Sequence, residues 1–215
     1  MKIATYIDHT LLKADASKAD IIKLCSEALE NDFYAVCVPP YWVREAAKLL
    51  KGSAVKIATV VGFPMGYSHT PAKIEECKRA VDEGAHEIDL VINIAALKEG
   101  DYNYLKNELT SVTAMIHLRG AKLKVILETG LLTDEEIIKG CELCKDQDVD
   151  FVKTSTGFNG EGASVRVIEL LRKNLPKSIK IKASGGIDSK EKALALIKAG
   201  ADRIGSSKSV KIVSE

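Results

Sequence analysis

Two lysines of this 215-residue chain stand in closely similar local sequences, and a lysine amine is a nucleophile only when it is neutral. Lys153 lies in the segment Phe-Val-Lys-Thr-Ser-Thr-Gly, and Lys182 lies in Ile-Lys-Ala-Ser-Gly-Gly. If these β-prone segments form neighbouring parallel strands, the two ammonium groups lie roughly 5 Å apart, the spacing of strands in a sheet. Burying two cations side by side is costly. The pattern therefore indicates imine chemistry, in which one lysine is neutral and attacks a carbonyl carbon.

The magnitudes agree with this interpretation. A lysine has an ordinary pKa of about 10.4, and lowering it by about 3 units costs roughly 4 kcal/mol. A second cation about 5 Å away supplies about 3 kcal/mol at an effective dielectric constant of about 20, and partial burial lowers the pKa further. One lysine can therefore lower the pKa of the other. The spacing alone leaves open which of the two is the nucleophile.

Strand-like and helix-like segments alternate along the whole chain and must position these lysines. Eight runs rich in Val and Ile predict strands at 5–12, 34–38, 55–62, 87–94, 123–128, 150–155, 179–183 and 202–205. Seven amphipathic stretches predict helices at 17–30, 41–50, 70–82, 102–118, 134–145, 164–174 and 190–198. The pattern predicts an α/β fold, a single (β/α)₈ TIM barrel spanning residues 1–215 as one domain. A doubly wound sheet is the alternative, but no G-x-G-x-x-G motif follows any strand.

Barrel enzymes place their chemistry at the C-terminal ends of the strands, on side chains that point inward. Because successive strand residues alternate between faces, Asp8, Asp89, Lys153 and Lys182 are predicted to converge inside the barrel. A carboxylate there balances charge and moves protons. Lys180, which shares a face with Lys182, is expected to be a solvated strand start.

The loops after the last two predicted strands are typical of an anion site. Ser184-Gly185-Gly186 follows the seventh strand, and Gly205-Ser206-Ser207-Lys208 follows the eighth. Glycines let backbone N–H groups approach an anion, and barrels often bind phosphate in this region. Gly157, in the sixth loop, is expected to line the same site.

The overall composition excludes several other classes of protein. A net charge of +1 favours neither nucleic acid nor an anionic membrane as a partner, and no apolar run reaches transmembrane length. The five cysteines have no scaffold-like spacing, which predicts a reducing, cytoplasmic environment. Cys141 and Cys144 match C-x-x-C, but they fall three apart on a predicted helix and are expected to be buried. No metal or other cofactor is predicted.

Six motifs taken together resemble those of the deoxyribose-phosphate aldolase family. They are Ile-Asp-His-Thr-Leu-Leu at 7–12, Val-Cys-Val at 36–38, Val-Gly-Phe-Pro-Met-Gly at 61–66, Glu-Ile-Asp-Leu-Val-Ile-Asn at 87–93, Lys-Thr-Ser-Thr-Gly at 153–157 and Lys-Ala-Ser-Gly-Gly-Ile at 182–187. They occur in the expected order over essentially the whole chain. The resemblance implies a class I aldolase on a TIM barrel. Such an enzyme reversibly cleaves 2-deoxy-D-ribose 5-phosphate into D-glyceraldehyde 3-phosphate and acetaldehyde without a cofactor, and assembles as a homodimer or homotetramer.

The resemblance also assigns roles to individual residues. It implies that Lys153 forms the imine, that Lys182 lowers the pKa of Lys153, and that Asp89 works with Lys182 and a water molecule in proton transfer. Asp8 would orient Lys182. The other implied substrate contacts are Thr10 and Leu12 for the sugar and Gly157, Gly185, Gly186, Gly205, Ser206 and Ser207 for the phosphate.

Two features of the sequence depart from the family pattern, and two other functions are alternatives to the aldolase. Lys208 stands where the family often has a second serine, although a lysine can also contact phosphate. Residues 211–215 lack the C-terminal tyrosine of some members, which predicts a different turnover rate. The alternative functions are a phosphosugar isomerase, which would not require Lys153, and a non-catalytic phosphosugar-binding barrel.

Overall fold

A computed structural model describes residues 2–215, in which eight strands alternate with nine α-helices. The strands are β1 (Ile7–Thr10), β2 (Ala35–Val38), β3 (Lys56–Val61), β4 (Glu87–Val91), β5 (Lys122–Ile126), β6 (Phe151–Lys153), β7 (Lys180–Ser184) and β8 (Arg203–Ser206). The helices are α1 (Lys18–Glu30), α2 (Val43–Leu49), α3 (Thr70–Asp82), α4 (Ile94–Glu99), α5 (Tyr102–Leu118), α6 (Asp134–Asp146), α7 (Val165–Asn174), α8 (Lys190–Lys198) and α9 (Ser209–Ser214). Capping boxes at Ser17 and Thr133 begin α1 and α6, because each hydroxyl accepts the amide N–H three residues later.

The strands form a closed barrel in which each strand pairs in parallel with the next and β8 pairs with β1. The predicted TIM barrel is therefore confirmed, and the open doubly wound sheet is wrong. The register places Lys153 beside Lys182, and places Asp89 beside Lys124 on the adjoining pair of strands. Neighbouring strands thus bring charged side chains to the same height within the barrel.

The hydrophobic core is a continuous aliphatic layer between the outer face of the barrel and the surrounding helices. Ile88, Leu90, Val125 and Ile181 alternate with the charged positions of β4, β5 and β7 and are fully buried against the helices. The barrel interior is polar instead. Its charged side chains are each at most 4% exposed: Asp8, Glu87, Asp89, Lys124, Lys153, Lys182 and Arg203. Packing against the helices stabilises the outer aliphatic layer. Inside the barrel, ion pairing offsets the cost of burying the charged side chains.

Six of the eight strands are shorter than the sequence pattern indicates, and for β1 and β4 the structure shows why. Residues Ile3–Tyr6 form a 3₁₀ turn, so β1 starts at Ile7. The fourth strand ends at Val91 because Asn93 leaves the sheet and caps α4, where its side chain accepts the amide of Ala96 at 3.1 Å.

The helices α4 and α9 have no counterpart among the predicted helices. Each is only six residues long, and α4 directly follows the apolar run of β4. Fewer than two helical turns give no clear 3.6-residue period. The apolar residues of α4 therefore cannot be distinguished in the sequence from those of β4. In the part of the chain that the structure describes, no helix combines the length and apolar character needed to span a bilayer.

All five cysteines are free and buried. Burial raises the pKa of Cys25 to about 11 and the pKa values of Cys77 and Cys141 to about 12, so these thiols stay protonated. Cys141 and Cys144 both pack into the core from α6, as the sequence indicates. Among residues 2–215, no cluster of three or more His, Cys, Asp or Glu residues has a geometry that could hold a metal ion.

Candidate active site

The two lysines meet at a single carboxylate oxygen. Lys153 ends β6, Lys182 lies in the middle of β7, and their side chains are buried. Both ammonium groups donate to Oδ2 of Asp89, each at 2.8 Å. The two cations are therefore held close together by a shared anion.

Asp89 also binds a third lysine. Its Oδ1 accepts a hydrogen bond from Lys124, which lies on β5, at 2.7 Å. Burial alone would raise the pKa of Asp89, but the positive charges of Lys124, Lys153 and Lys182 outweigh this effect and hold the pKa well below its usual range. Asp89 is thus a permanent carboxylate at neutral pH, at the centre of three ammonium groups.

Asp8 is a second carboxylate that binds Lys182. Its Oδ2 forms an ion pair with Lys182 at 2.5 Å, and its Oδ1 accepts from Arg203 at 2.8 Å. Burial would raise the pKa of Asp8, but Lys182 and Arg203 lower it. The same carboxylates, Asp8 and Asp89, overcome the effect of burial on Lys182 and raise its pKa. Lys182 therefore remains an ammonium ion.

Three charged residues that complete this network are missing from the sequence-based site. Lys124 contacts Glu87 at 2.7 Å, and Arg203 contacts Glu87 at 3.1 Å. The guanidinium carbon of Arg203 also lies 3.4 Å from the centre of the Tyr34 ring, a cation–π contact. The signal was present in the sequence, since Glu87 is two positions before Asp89 and Lys124 stands between Leu123 and Val125. A charge inside an apolar strand, on the inward alternation, predicts a buried partner.

The charge balance singles out Lys153. The network holds three carboxylates and four cations, so it is neutral when one cation gives up its proton. The pKa of Lys153 is lowered, first by burial and then by the charge of Lys182, against the opposing effect of Asp89. The carboxylates raise the pKa of Lys124 instead. In the folded chain burial lowers the pKa of Lys153 more than the charge of Lys182 does, which reverses the order expected from the sequence.

A cavity of about 350 Å³ opens above the lysines at the C-terminal ends of the strands. Lys153 and Lys182 are the nearly buried ammonium groups that reach it. The predicted substrate contacts that line it are Thr10, Leu12, Gly157, Gly185, Gly186, Gly205, Ser206 and Ser207. Asp8 and Asp89 lie behind the lysines and do not form part of the cavity wall.

The loops at one side of the cavity expose backbone N–H groups. Gly157, Gly185 and Gly186 have φ values of +84°, +89° and +67°, a conformation that favours glycine. Within residues 2–215, the amides of Gly157, Gly186 and Ser207 donate to no protein acceptor. Such a set of free amides suits an anion.

Two other predicted substrate contacts, the last two residues of β8, have structural tasks. The Ser206 hydroxyl donates to the Ile187 carbonyl at 2.6 Å and accepts the Lys208 amide at 2.9 Å, so it is occupied within the protein. A Cβ atom at Gly205 would lie 3.0 Å from Cε of Lys182. The absence of a side chain at Gly205 therefore makes room for Lys182.

Replacing Lys124 with methionine is expected to cost about 3–5 kcal/mol of stability, because Glu87 and Asp89 would lose a buried cationic partner. The midpoint of urea unfolding measures this loss. Lys122, on the same strand, is exposed, so Lys122→Met is the matched control and is expected to change stability by about 0.5 kcal/mol or less. Equal midpoints for the two variants would show that Lys124 does not stabilise the network.

A buried lysine of lowered pKa, beside a second lysine and below a cavity at the C-terminal face of a (β/α)₈ barrel, defines the class of aldolases that use an amine. Comparison with known proteins agrees with this class. Residues 2–207 match the family model described as DeoC/LacD family aldolase. The chain belongs to this family.

Relatives and solved structures within the family cover nearly the whole chain. The deoxyribose-phosphate aldolase of Thermococcus gammatolerans is 54% identical over 99% of this chain and 96% of its own length. That of Finegoldia magna is 50% identical over 99% of each chain. The tetrameric deoxyribose phosphate aldolase of Aeropyrum pernix superposes with a TM-score of 0.93 at 30% identity, over 99% of this chain and 89% of that chain.

Proposed function

We propose that this chain is a class I aldolase that reversibly cleaves 2-deoxy-D-ribose 5-phosphate into D-glyceraldehyde 3-phosphate and acetaldehyde. The observation that carries the proposal is the network of three carboxylates and four cations, in which Lys153 is the group whose pKa is lowered. The names of the full-length relatives support this substrate. Such chemistry belongs to the breakdown of deoxyribose phosphates.

In the proposed mechanism, the neutral amine of Lys153 attacks C1 of the open-chain sugar, and loss of water gives a protonated imine. A proton leaves the C3 hydroxyl and the C2–C3 bond breaks. Its electron pair passes into the imine, so that an enamine remains on Lys153 and D-glyceraldehyde 3-phosphate departs. Protonation at C2 and hydrolysis then release acetaldehyde and restore the amine.

Lys182 is the second proposed catalytic residue. It lines the cavity as an ammonium ion, lowers the pKa of Lys153, and can pass protons to and from a water molecule at the substrate. Asp89 acts from behind, because its carboxylate reaches the cavity only through the two lysines. Its part in proton transfer therefore runs through Lys182.

The amide groups of Gly157, Gly186 and Ser207 are the proposed phosphate donors, with Gly185 holding the turn between them. Thr10 and Leu12, at the end of β1, would line the sugar part of the cavity. Lys208 is exposed at the cavity edge and adds a cation close to the proposed phosphate position. A lysine there replaces the hydroxyl of a serine by a full charge.

Borohydride reduction in the presence of acetaldehyde tests the proposal directly. The reductant converts an imine into a stable secondary amine, so peptide mapping is expected to find a two-carbon adduct on Lys153. Incubation of the same preparation with 2-deoxy-D-ribose 5-phosphate is expected to release D-glyceraldehyde 3-phosphate. An isomerase or a binding protein would form no adduct, and a preparation that forms none and leaves the sugar intact would refute the lyase assignment.

We further propose that the chain works as one domain, in the cytoplasm, and as a homodimer or homotetramer. The tetrameric structure of the Aeropyrum pernix relative supports self-association. Five buried free thiols suit a reducing compartment.

A further inference from the structure

Glu128 is a buried charged residue that the proposed mechanism does not use. It lies two residues beyond the end of β5, and its side chain is fully buried. Its backbone is left-handed, with φ +60° and ψ +57°, which is disfavoured for a residue that has a Cβ atom. Backbone conformations of this kind cluster at functional sites and persist only where surrounding contacts enforce them.

The carboxylate of Glu128 binds one short loop. Its Oε1 accepts the amide N–H of Thr156 at 3.0 Å, and its Oε2 accepts the hydroxyl of the same threonine. The side-chain amide of Asn159 donates to Oε2 at 3.3 Å. These donors all belong to residues 156–159, which follow Lys153 and line the cavity with Gly157 and Phe158.

The same loop is also tied to the loop after β3. The Asn159 amide group donates to the Pro64 carbonyl at 3.2 Å. The ring of Phe158 packs edge-to-face against Phe63, with the ring centres 5.2 Å apart. Glu128 thus lies where the loops that follow β3, β5 and β6 contact one another.

The surroundings of Glu128 differ from those of the other buried carboxylates near the cavity. Within residues 2–215, no lysine, arginine or histidine forms an ion pair with it, whereas Asp8 and Asp89 each bind two or more cations. A buried carboxylate held only by hydrogen-bond donors is costly unless every donor is well placed. The hydrogen-bond donors that offset this cost all belong to residues 156–159, so the same bonds fix the conformation of that loop.

We propose that Glu128 is a positioning residue that sets the loop at 156–159 for recognition of the substrate phosphate. Its bonds to Thr156 fix the peptide group next to Gly157, so that the Gly157 amide faces the anion. The role rests on the proposed phosphosugar substrate. Because the loop begins beyond Lys153, Glu128 acts on phosphate binding and leaves formation of the imine unchanged.

The test compares Glu128→Ala with wild type on two substrates and in one trapping assay. The substrates are 2-deoxy-D-ribose 5-phosphate and 2-deoxy-D-ribose, and borohydride trapping with acetaldehyde measures imine formation without any phosphate. Loss of a bond to a charged acceptor corresponds to a change of about tenfold or more. We expect KM for the phosphorylated sugar to rise by that factor, with kcat/KM for deoxyribose and the trapping rate within about twofold of wild type.

Two variants serve as controls. Glu161 is an exposed carboxylate a few residues further along the same loop, so Glu161→Ala is expected to match wild type in every assay. Glu128→Gln keeps one oxygen for the Thr156 amide and is expected to give an intermediate KM. It also provides the measurement if Glu128→Ala does not fold.

The outcomes separate this inference from the function on which it rests. An equal loss on the phosphorylated and unphosphorylated sugars, or an unchanged KM in both Glu128 variants, would overturn the positioning role. A wild-type protein that traps acetaldehyde but shows no preference for the phosphorylated sugar would overturn it too, while the imine chemistry would stand. A wild-type protein that fails to trap acetaldehyde would refute the aldolase mechanism and, with it, the role of Glu128.

Discussion

Replacing Lys153 with methionine is expected to lower kcat/KM for cleavage of 2-deoxy-D-ribose 5-phosphate by about 10⁴-fold or more, the order of effect seen when a covalent nucleophile is lost. Methionine fills a similar volume but has no amine, so no imine forms and the C2–C3 bond has no electron sink. The borohydride adduct with acetaldehyde is expected to disappear in the same variant.

The stability of the Lys153→Met variant is expected to be retained, in contrast to its activity. Lys153 is the excess cation of its network, and burial already disfavours its charged form. Removing it leaves three carboxylates with three cations. The urea midpoint of Lys153→Met is therefore expected to equal or exceed that of wild type, which separates loss of chemistry from loss of fold.

Lys180 provides the matched control for Lys153. It lies on the adjacent strand and is exposed, so Lys180→Met is expected to retain wild-type activity. Retention of more than about one hundredth of wild-type activity by Lys153→Met would be incompatible with a covalent role, because the residual rates of enzymes that lose a nucleophile are far lower.

Replacing Lys182 with leucine is expected to move imine formation to higher pH by about one to two units. The neutral amine of Lys153 is the reactive form, so the trapping rate rises as pH increases through the pKa of Lys153. The charge of Lys182 lowers that pKa, and Asp89 raises it. Removing the cation leaves Asp89 to stabilise the protonated amine, so the pKa rises and the profile shifts upward.

The expected size follows from the separation of the charges. Two cations about 5 Å apart at an effective dielectric constant of about 20 interact by about 3 kcal/mol, which corresponds to roughly 2 pKa units. The initial rate of borohydride trapping, measured across pH, gives the shift. An unchanged midpoint in Lys182→Leu, alongside an unchanged Lys180→Leu control, would rule out a tuning role for Lys182.

The barrel follows from features that are local in the chain. Apolar alternation with period two along β4 and β7, together with helical periods between the strands, is repeated often enough to specify a (β/α)₈ fold. The same alternation places Asp89, Lys153 and Lys182 on inward faces, since the direction of a strand side chain depends only on its position in the strand. The end of β4 depends instead on a single capping residue, Asn93, which the periodic pattern does not mark.

The ionisation states of the charged residues inside the barrel depend on tertiary contacts that the sequence alone does not show. Asp8 and Arg203 are 195 residues apart in the chain, yet they lie 2.8 Å apart because β8 closes the barrel against β1. Lys124 and Glu128 reach their partners in the same way, across strands and loops that are distant in sequence. A pKa depends on burial and on distances to every neighbouring charge.

The sequence by itself therefore determined the fold and the pair of lysines that could form an imine, because both depend on repeated local patterns. Only the tertiary structure decided that Lys153 is the lysine of lowered pKa, since that depends on how much solvent each amine loses and on which carboxylates surround it. It likewise decided that Glu128 binds the loop at 156–159, a contact that no local pattern encodes.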